Sequence, residues 1–355
     1  MTEETLLASE LPVQYELAGK VSQGGMGCIY KAQNRYTGRS CAIKVLRSDC
    51  AHDKEKLLRF VQEAKAASLL DHRNVCRVLD FGMTASQSPY LVMDWIDGTS
   101  LFETVERRGP LPAAEVLPIL LQVVDALGHA HSHKIVHRDL KPDNIMLTEK
   151  KSVRSRDSAA QRLTVHLVDF GIAKLLADSE DVMQANGLTR TGMVVGTPLY
   201  MSPEQARGKD VDARSDVYSL GCVIYFMLTG HPPFNGETFV ETLYKHIHAD
   251  VPAFDSRLKV PTGLKEIVLR CLEKDPEKRY ESMEALGADL LKLMTGTAVP
   301  KTPLVVRVSR QRKKIITAAC FVGSFILAYV ASIALQNVMD AVAPEKQAPA
   351  SRSAR

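Results

Sequence analysis

Short β-compatible runs dominate the first hundred residues, and long helical periods follow them. Residues 15–21, 27–33 and 40–46 are strand-like runs separated by Gly-rich or polar turns at 22–25 and 34–39. Residues 53–70 then read as a helix, with Leu57, Leu58, Phe60, Val61, Ala64, Ala67 and Leu70 along one face behind a cap at Asp53. Strand-like runs at 76–81 and 90–95 precede a turn at Asp97-Gly98, after which the pattern is mainly helical to about residue 294. Ala113–Ser132 and 214–228 are the long periodic stretches of that region. Two strand-like runs, 144–148 and 163–168, interrupt it. The basic, Ser-rich and aperiodic stretch 150–162 between them reads as a solvated hairpin loop. No internal repeat is evident. The pattern predicts an α+β fold: a small sheet-rich lobe (15–93), a linker (94–98) and a larger helical lobe (99–294). Such lobes favour a ligand cleft between them.

One apolar run obeys neither period. Residues 315–335 are 21 positions without a charge, close to the roughly 20 needed to cross a bilayer core. They follow a basic linker and precede a short Ala/Pro/Ser-rich tail, so a transmembrane helix is expected in preference to a buried core helix. Charge sharpens this. Of the formal net +4, six positive charges sit in residues 300–314 and one more, net, in the tail from Gln336, leaving residues 1–299 at −3. A local basic block beside an apolar run points to a membrane surface and away from nucleic acid. The positive-inside bias puts the main body in the cytoplasm and the tail (336–355) outside, in a single-pass inner-membrane protein. The acidic first ten residues carry no apolar core, so no cleaved signal peptide is expected. Seven cysteines without CxxC or His-paired spacing argue against a disulfide framework or zinc site; most are expected to be buried small hydrophobes.

The chemistry begins with phosphate. Gln23-Gly24-Gly25-Met26-Gly27 lies between two strand-like runs, where a backbone free of Cβ atoms can fold over anionic oxygens. Lys44, in the apolar run Cys41-Ala42-Ile43-Lys44, supplies a cation beside that loop, and Glu63 in the following helix can partner it. His137-Arg138-Asp139-Leu140-Lys141-Pro142-Asp143-Asn144 places a carboxylate able to accept a hydroxyl proton five residues before an amide able to bind a metal. A lysine stands between them. Asp169-Phe170-Gly171 adds a second hard oxygen ligand, so Asn144, Asp169 and nucleotide phosphates form a plausible magnesium shell.

These motifs occur in order and are completed by Gly196-Thr197-Pro198-Leu199-Tyr200-Met201-Ser202-Pro203-Glu204, with Asp216 and Arg279 further on. The set resembles the eukaryotic-like serine/threonine protein kinases, most of all their bacterial membrane-anchored branch, over roughly residues 15–294. The resemblance implies a bilobal protein-kinase fold and ATP-dependent phosphorylation of protein Ser/Thr hydroxyls, with Mg²⁺ or Mn²⁺ as the metal. By that resemblance Asp139 is the catalytic base and Lys141 steadies the γ-phosphate. Lys44 holds the α/β-phosphates and pairs with Glu63, while Asn144 and Asp169 ligate the metal. Ser22 to Gly27 form the glycine-rich loop. Val21, Ile29, Ala42 and Met146 sandwich the adenine, Met93 stands at the gate, and Asp94 to Ile96 form the hinge. Asp216 is implied as a structural residue and Arg279 as the partner of Glu204. Two positions depart from the pattern: Ser22 replaces the first loop glycine, and Ser202 replaces the usual alanine, a change expected to be neutral.

Thr189 and Thr191, in L-T-R-T-G, are the candidate regulatory phosphosites, since a phosphate there could be paired by an arginine such as Arg138. Membrane confinement, with small residues at Ala319 and Gly323, would let neighbouring copies associate and react in trans. The rival reading is a pseudokinase, a nucleotide-binding signalling scaffold; retention of Lys44, Glu63, Asp139, Asn144 and Asp169 argues against it. A small-molecule phosphotransferase is disfavoured by the 196–204 segment, which serves peptide docking in protein kinases.

Overall fold

The structure is a computed structural model that describes residues 7, 10–24, 27–46, 61, 64–65, 67–149, 163–170 and 198–296. All of them lie within one compact unit, Met1–Val299. Outside the described residues fall the apolar run 315–335, the basic linker, the loop 150–162, Gly25, Met26, Glu63, Thr189 and Thr191.

The small lobe is an antiparallel sheet of β1 (Tyr15–Gly24), β2 (Gly27–Asn34), β3 (Ser40–Leu46), β4 (Val78–Met83) and β5 (Pro89–Asp94), in spatial order β1-β2-β3-β5-β4. Alternation decides its two faces. One buries Tyr15, Ala32, Cys41, Ile43, Tyr90 and Val92 beneath Leu7 and Leu11 of the N-terminal segment. The other buries Ala42, Leu91 and Met93 against Ala64 and Cys76. Of the helix expected over 53–70, residues 61, 64, 65 and 67–70 are described; those up to Ser68 are helical, and the helix ends there, with Leu69 in a turn and Leu70 beyond it.

A second antiparallel sheet, β6 (Thr99–Ser100), β7 (Ile145–Glu149) and β8 (Leu163–Leu167), lies at the head of the large lobe. β7 and β8 pair antiparallel from Ile145↔Leu167 to Glu149↔Leu163. The helices are α1 (Leu101–Arg108), α2 (Ala113–Ser132), α3 (Pro203–Ala206), α4 (Ala213–Thr229), α5 (Phe239–His248), α6 (Thr262–Cys271) and α7 (Met283–Met294). Ser100 starts α1 with a capping box to Glu103, and Asp212 caps α4, which ends on Gly230 in the left-handed region. α4 is buried all round from Ser215 to Leu228, the mark of a central helix. Each of its fully buried large apolar side chains contributes about 1.5–3 kcal/mol of transfer free energy. α2 is long and apolar enough to cross a membrane, yet half of its apolar window is buried inside the lobe, so it is a core helix here.

Four of the cysteines, Cys41, Cys76, Cys222 and Cys271, are buried free thiols as expected, and Cys28 is half-buried. Burial pushes the Cys76 and Cys271 thiols up to about 12, which leaves them protonated small hydrophobes.

Candidate active site

The hairpin of β1 and β2 closes with Gly24 opposite Gly27. Gly27 has φ +152°, and a Cβ there would stand 2.1 Å from the Val45 carbonyl oxygen of β3. No other residue fits. Ser22, by contrast, is an exposed strand residue paired with Ile29, where a side chain meets no conflict.

Lys44 sits on β3 between Ile29 of β2 and Leu91 of β5. Its Nζ lies 2.8 Å from Asp169 Oδ1, with both side chains largely shielded (16% and 21% exposed). That contact joins the two lobes. Glu63, the partner expected for this lysine, lies outside the described residues; among the described residues Asp169 is its partner.

The loop 137–144 is held from three sides. Asp216, at the start of α4, accepts the His137 N–H at 2.8 Å and the Arg138 N–H at 3.0 Å, and its Oδ2 meets His131 Nε2 at 2.7 Å. These bonds hold Arg138 at φ +61°, a conformation that costs a non-glycine residue about 1–3 kcal/mol. Asp169 also has a left-handed backbone, at φ +56°. The fully buried His137 ring packs on Phe170 with centroids 4.6 Å apart, and its Nε2–H donates to the Val168 carbonyl at 3.2 Å. Burial depresses the His137 pKa against the pull of the surrounding carboxylates, so it is a neutral structural imidazole. From the third side, Gln205 donates to the Arg138 carbonyl at 2.9 Å.

Within this loop Asn144 Nδ2 donates to the Asp139 carbonyl at 2.8 Å and to its Oδ2 at 3.3 Å. Lys141 Nζ stands 3.4 Å from the same carboxylate oxygen. The Asn144 carbonyl accepts the Val168 N–H at 3.0 Å, which ties the loop to the residue just before Asp169. The Asp139 carboxylate is thus met by both Asn144 and Lys141 of its own loop. The Asn144 amide nitrogen is engaged, so its oxygen is the end left to ligate. Among the described residues no three His, Cys, Asp or Glu side chains converge. A hard amide oxygen with the Asp169 carboxylate fits Mg²⁺, which takes one or two protein oxygens and completes its shell with phosphates and water.

Ile29, Ala42, Met93 and Ile96 belong to one apolar cluster with Trp95 and Val168. Val21 is half-exposed on β1, and Met146 lies on β7 opposite Ser100, so these two are outside that cluster. In the linker, Asp94 accepts at its carbonyl from Cys76 Sγ at 3.4 Å. A Cβ on Gly98 would come within 2.3 Å of the Leu147 carbonyl oxygen, so only glycine lets the linker pass over β7.

Residues 15–291, most of the chain, match the protein kinase domain family. The chain belongs to the protein kinase family. It is 39% identical over 297 residues to the serine/threonine-protein kinase PknB of Mycobacterium leprae, an alignment covering 82% of this chain and 45% of that protein. It is 37% identical over 286 residues to PrkC of Bacillus subtilis, covering 80% and 41%. The kinase chain thus spans about half the length of the curated relatives it matches. The crystal structure of the Mycobacterium tuberculosis PknI kinase domain is similar at TM-score 0.58 and 26% identity, over 81% of this chain and 99% of that one. Rad53 bound to AMP-PNP shares the fold at TM-score 0.61 and 24% identity, over 77% and 64%. The bilobal kinase fold expected from the motifs is therefore the fold found.

Against that family pattern, Glu204 meets Arg279 at 2.7 and 2.9 Å, as the motif order implies. Ser202 is less neutral than expected: it caps α3 in a capping box with Gln205, the residue that holds the Arg138 carbonyl. Reading the sequence missed His131 and Gln205, while it took Gly98 only as a turn residue of the linker and Val168 only as the end of a strand-like run. Neither His131 nor Gln205 carried a local signal.

Proposed function

We propose that this kinase transfers the γ-phosphate of ATP to Ser/Thr hydroxyls of proteins, the activity named for its PknB and PrkC relatives. The observation that carries the reading is the assembly of Lys44, Asp139, Lys141, Asn144 and Asp169 from both lobes through the contacts above. Asp139 accepts the proton of the attacking hydroxyl while Lys44 and Lys141 neutralise charge on the nucleotide and the transferring group. Asn144 and Asp169 would hold Mg²⁺, which supplies charge neutralisation on the phosphates when bound. The residues from Ser22 to Gly27 cover the phosphates. Val21, Ile29, Ala42 and Met146 enclose the adenine, Met93 is the gate, and Asp94 to Ile96 are the hinge. Positioning and electrostatics then provide the rate, since this transition state needs little covalent help.

Residues 315–335 anchor the chain in the inner membrane with the kinase domain on the cytoplasmic side, supported by the basic block at 300–314. A cysteine placed near Ala350 should label with a membrane-impermeant reagent on intact cells; labelling only after lysis reverses the topology. Thr189 and/or Thr191 are phosphorylated by neighbouring copies and activate the enzyme. Mass spectrometry after incubation with Mg²⁺ and ATP tests both readings. Phosphothreonine is expected in the wild type and absent from Asp139→Asn; phosphate in both would assign it to another kinase.

A further inference from the structure

Beneath the docking segment lies a buried polar set that the transfer chemistry does not use. His246, near the end of α5, is fully buried, and its Nε2 makes no hydrogen bond. Its Nδ1 lies 3.0 Å from the Tyr218 hydroxyl of α4. Lys274 Nζ donates to that hydroxyl at 3.3 Å and sits 3.9 Å from the centre of the Phe234 ring. The tyrosine has one proton to give. The His246 carbonyl stands 3.4 Å away, farther than Nδ1, so the proton goes to Nδ1. Nδ1 is then an acceptor, and the neutral ring must carry its own proton on Nε2. Burial first, and the Lys274 charge second, depress this histidine to about 3, so it stays neutral at working pH.

A buried donor without an acceptor is costly, and the acceptors facing it are specific. α5 packs against the Pro198–Tyr200 turn, and the backbone carbonyls of Leu199 and Pro198 act on the ring in the direction of an acceptor, favouring a proton there. One residue further on, the Tyr200 carbonyl is already fixed by Ser219 Oγ at 2.8 Å. The segment is thus tied to α4 at Tyr200, while its preceding carbonyls lie over a histidine whose proton is aimed by Tyr218 and Lys274.

We propose that His246 is a positioning residue for protein substrate: its Nε2–H closes on the Pro198 or Leu199 carbonyl and fixes the Pro198–Tyr200 segment at the height where an acceptor peptide docks. The relay Lys274–Tyr218–His246 thereby couples α5 and the segment to one another. This rests on the chain acting as a protein kinase, and the ATP site takes no part in it.

The test compares full-length wild type with His246→Phe, Tyr218→Phe and His246→Gln, whose amide can place a donor where Nε2 stands. Steady-state kinetics against a generic protein acceptor should show about a tenfold rise in KM for protein in His246→Phe, with KM for ATP unchanged. Tyr218→Phe, which keeps the ring, should give a smaller rise in the same direction, and His246→Gln should restore the wild-type value. Amide hydrogen exchange of the peptide containing Leu199 to Ala206 should quicken in the two Phe variants and not in His246→Gln. Exchange needs no phosphotransfer, so it decides the relay even if the wild type proves inactive and the kinase reading fails. Unchanged exchange in both Phe variants, or a His246→Gln variant as impaired as His246→Phe, would overturn the proposal.

Discussion

Glu204→Gln is the most informative stability perturbation, because it removes one charge from a buried pair and little volume. Arg279 has a fully buried guanidinium side chain, and Glu204 is 9% exposed. The arginine gives two bonds to the carboxylate and others to the carbonyls of Glu273 and Arg214, while Ser215 Oγ donates to Glu204. Removing one partner of a buried pair leaves the other charge uncompensated, at a cost of about 3–5 kcal/mol. For a domain of this size that is a fall in Tm of roughly 5–9 °C, readable by calorimetry. A pH dependence accompanies it. Burial raises the Glu204 pKa, but the hydrogen bond and charge of Arg279, helped by Ser215, outweigh this and hold it below the ordinary 4.5. A folded-state pKa below the unfolded one stabilises the fold above about pH 4.5, and that stabilisation is lost as pH falls through the folded value. The wild type should therefore lose more stability on acidification than Glu204→Gln, and the double variant with Arg279→Met should fall short of the summed single effects. A loss under about 1 kcal/mol, with acid profiles that superimpose, would refute the reasoning.

Further outcomes are expected at the cleft. Lys44→Met should reduce phosphotransfer by about a hundredfold or more while thermal unfolding stays cooperative, since it removes a charge from the site and no core packing. Gly27→Ala should weaken nucleotide binding, because its Cβ collides with the Val45 carbonyl oxygen; titration calorimetry that gives wild-type affinity would remove that constraint. Ser22→Gly should leave nucleotide affinity unchanged or tighter, as the serine occupies ordinary exposed strand. Trp95 is the single tryptophan and packs in the linker cluster with its ring 4.5 Å from Lys31 Nζ, so its fluorescence should change on adding nucleotide.

Much of the fold was legible because local period and tertiary need coincide. α2 runs from Ala113 to Ser132 as the apolar stripe indicated, and β3 occupies 40–46. Boundaries slipped where a long-range bond took over. β4 begins at Val78 rather than 76 because the Cys76 N–H is given to the Leu167 carbonyl of the other lobe. Asn144 leaves the strand expected for it and closes a 3₁₀ turn, with its side chain spent on Asp139. The order of motifs indicated which residues would meet, but not through what. Asp216 lies 79 residues from His137, and nothing near either one reveals that a single carboxylate fixes two successive backbone N–H groups and His131. His246 is equally silent in sequence, a histidine on an amphipathic helix whose significance comes from what lies above it.

The central claim, protein phosphotransfer by the assembled cleft, is tested most directly by incubating the purified full chain with γ-labelled ATP, Mg²⁺ and a protein acceptor, beside Asp139→Asn. Label on acceptor serine or threonine in the wild type, and none above background in a variant that still binds ATP, is the predicted result. Nucleotide binding by the wild type without any transfer, or equal transfer by both proteins, would contradict it.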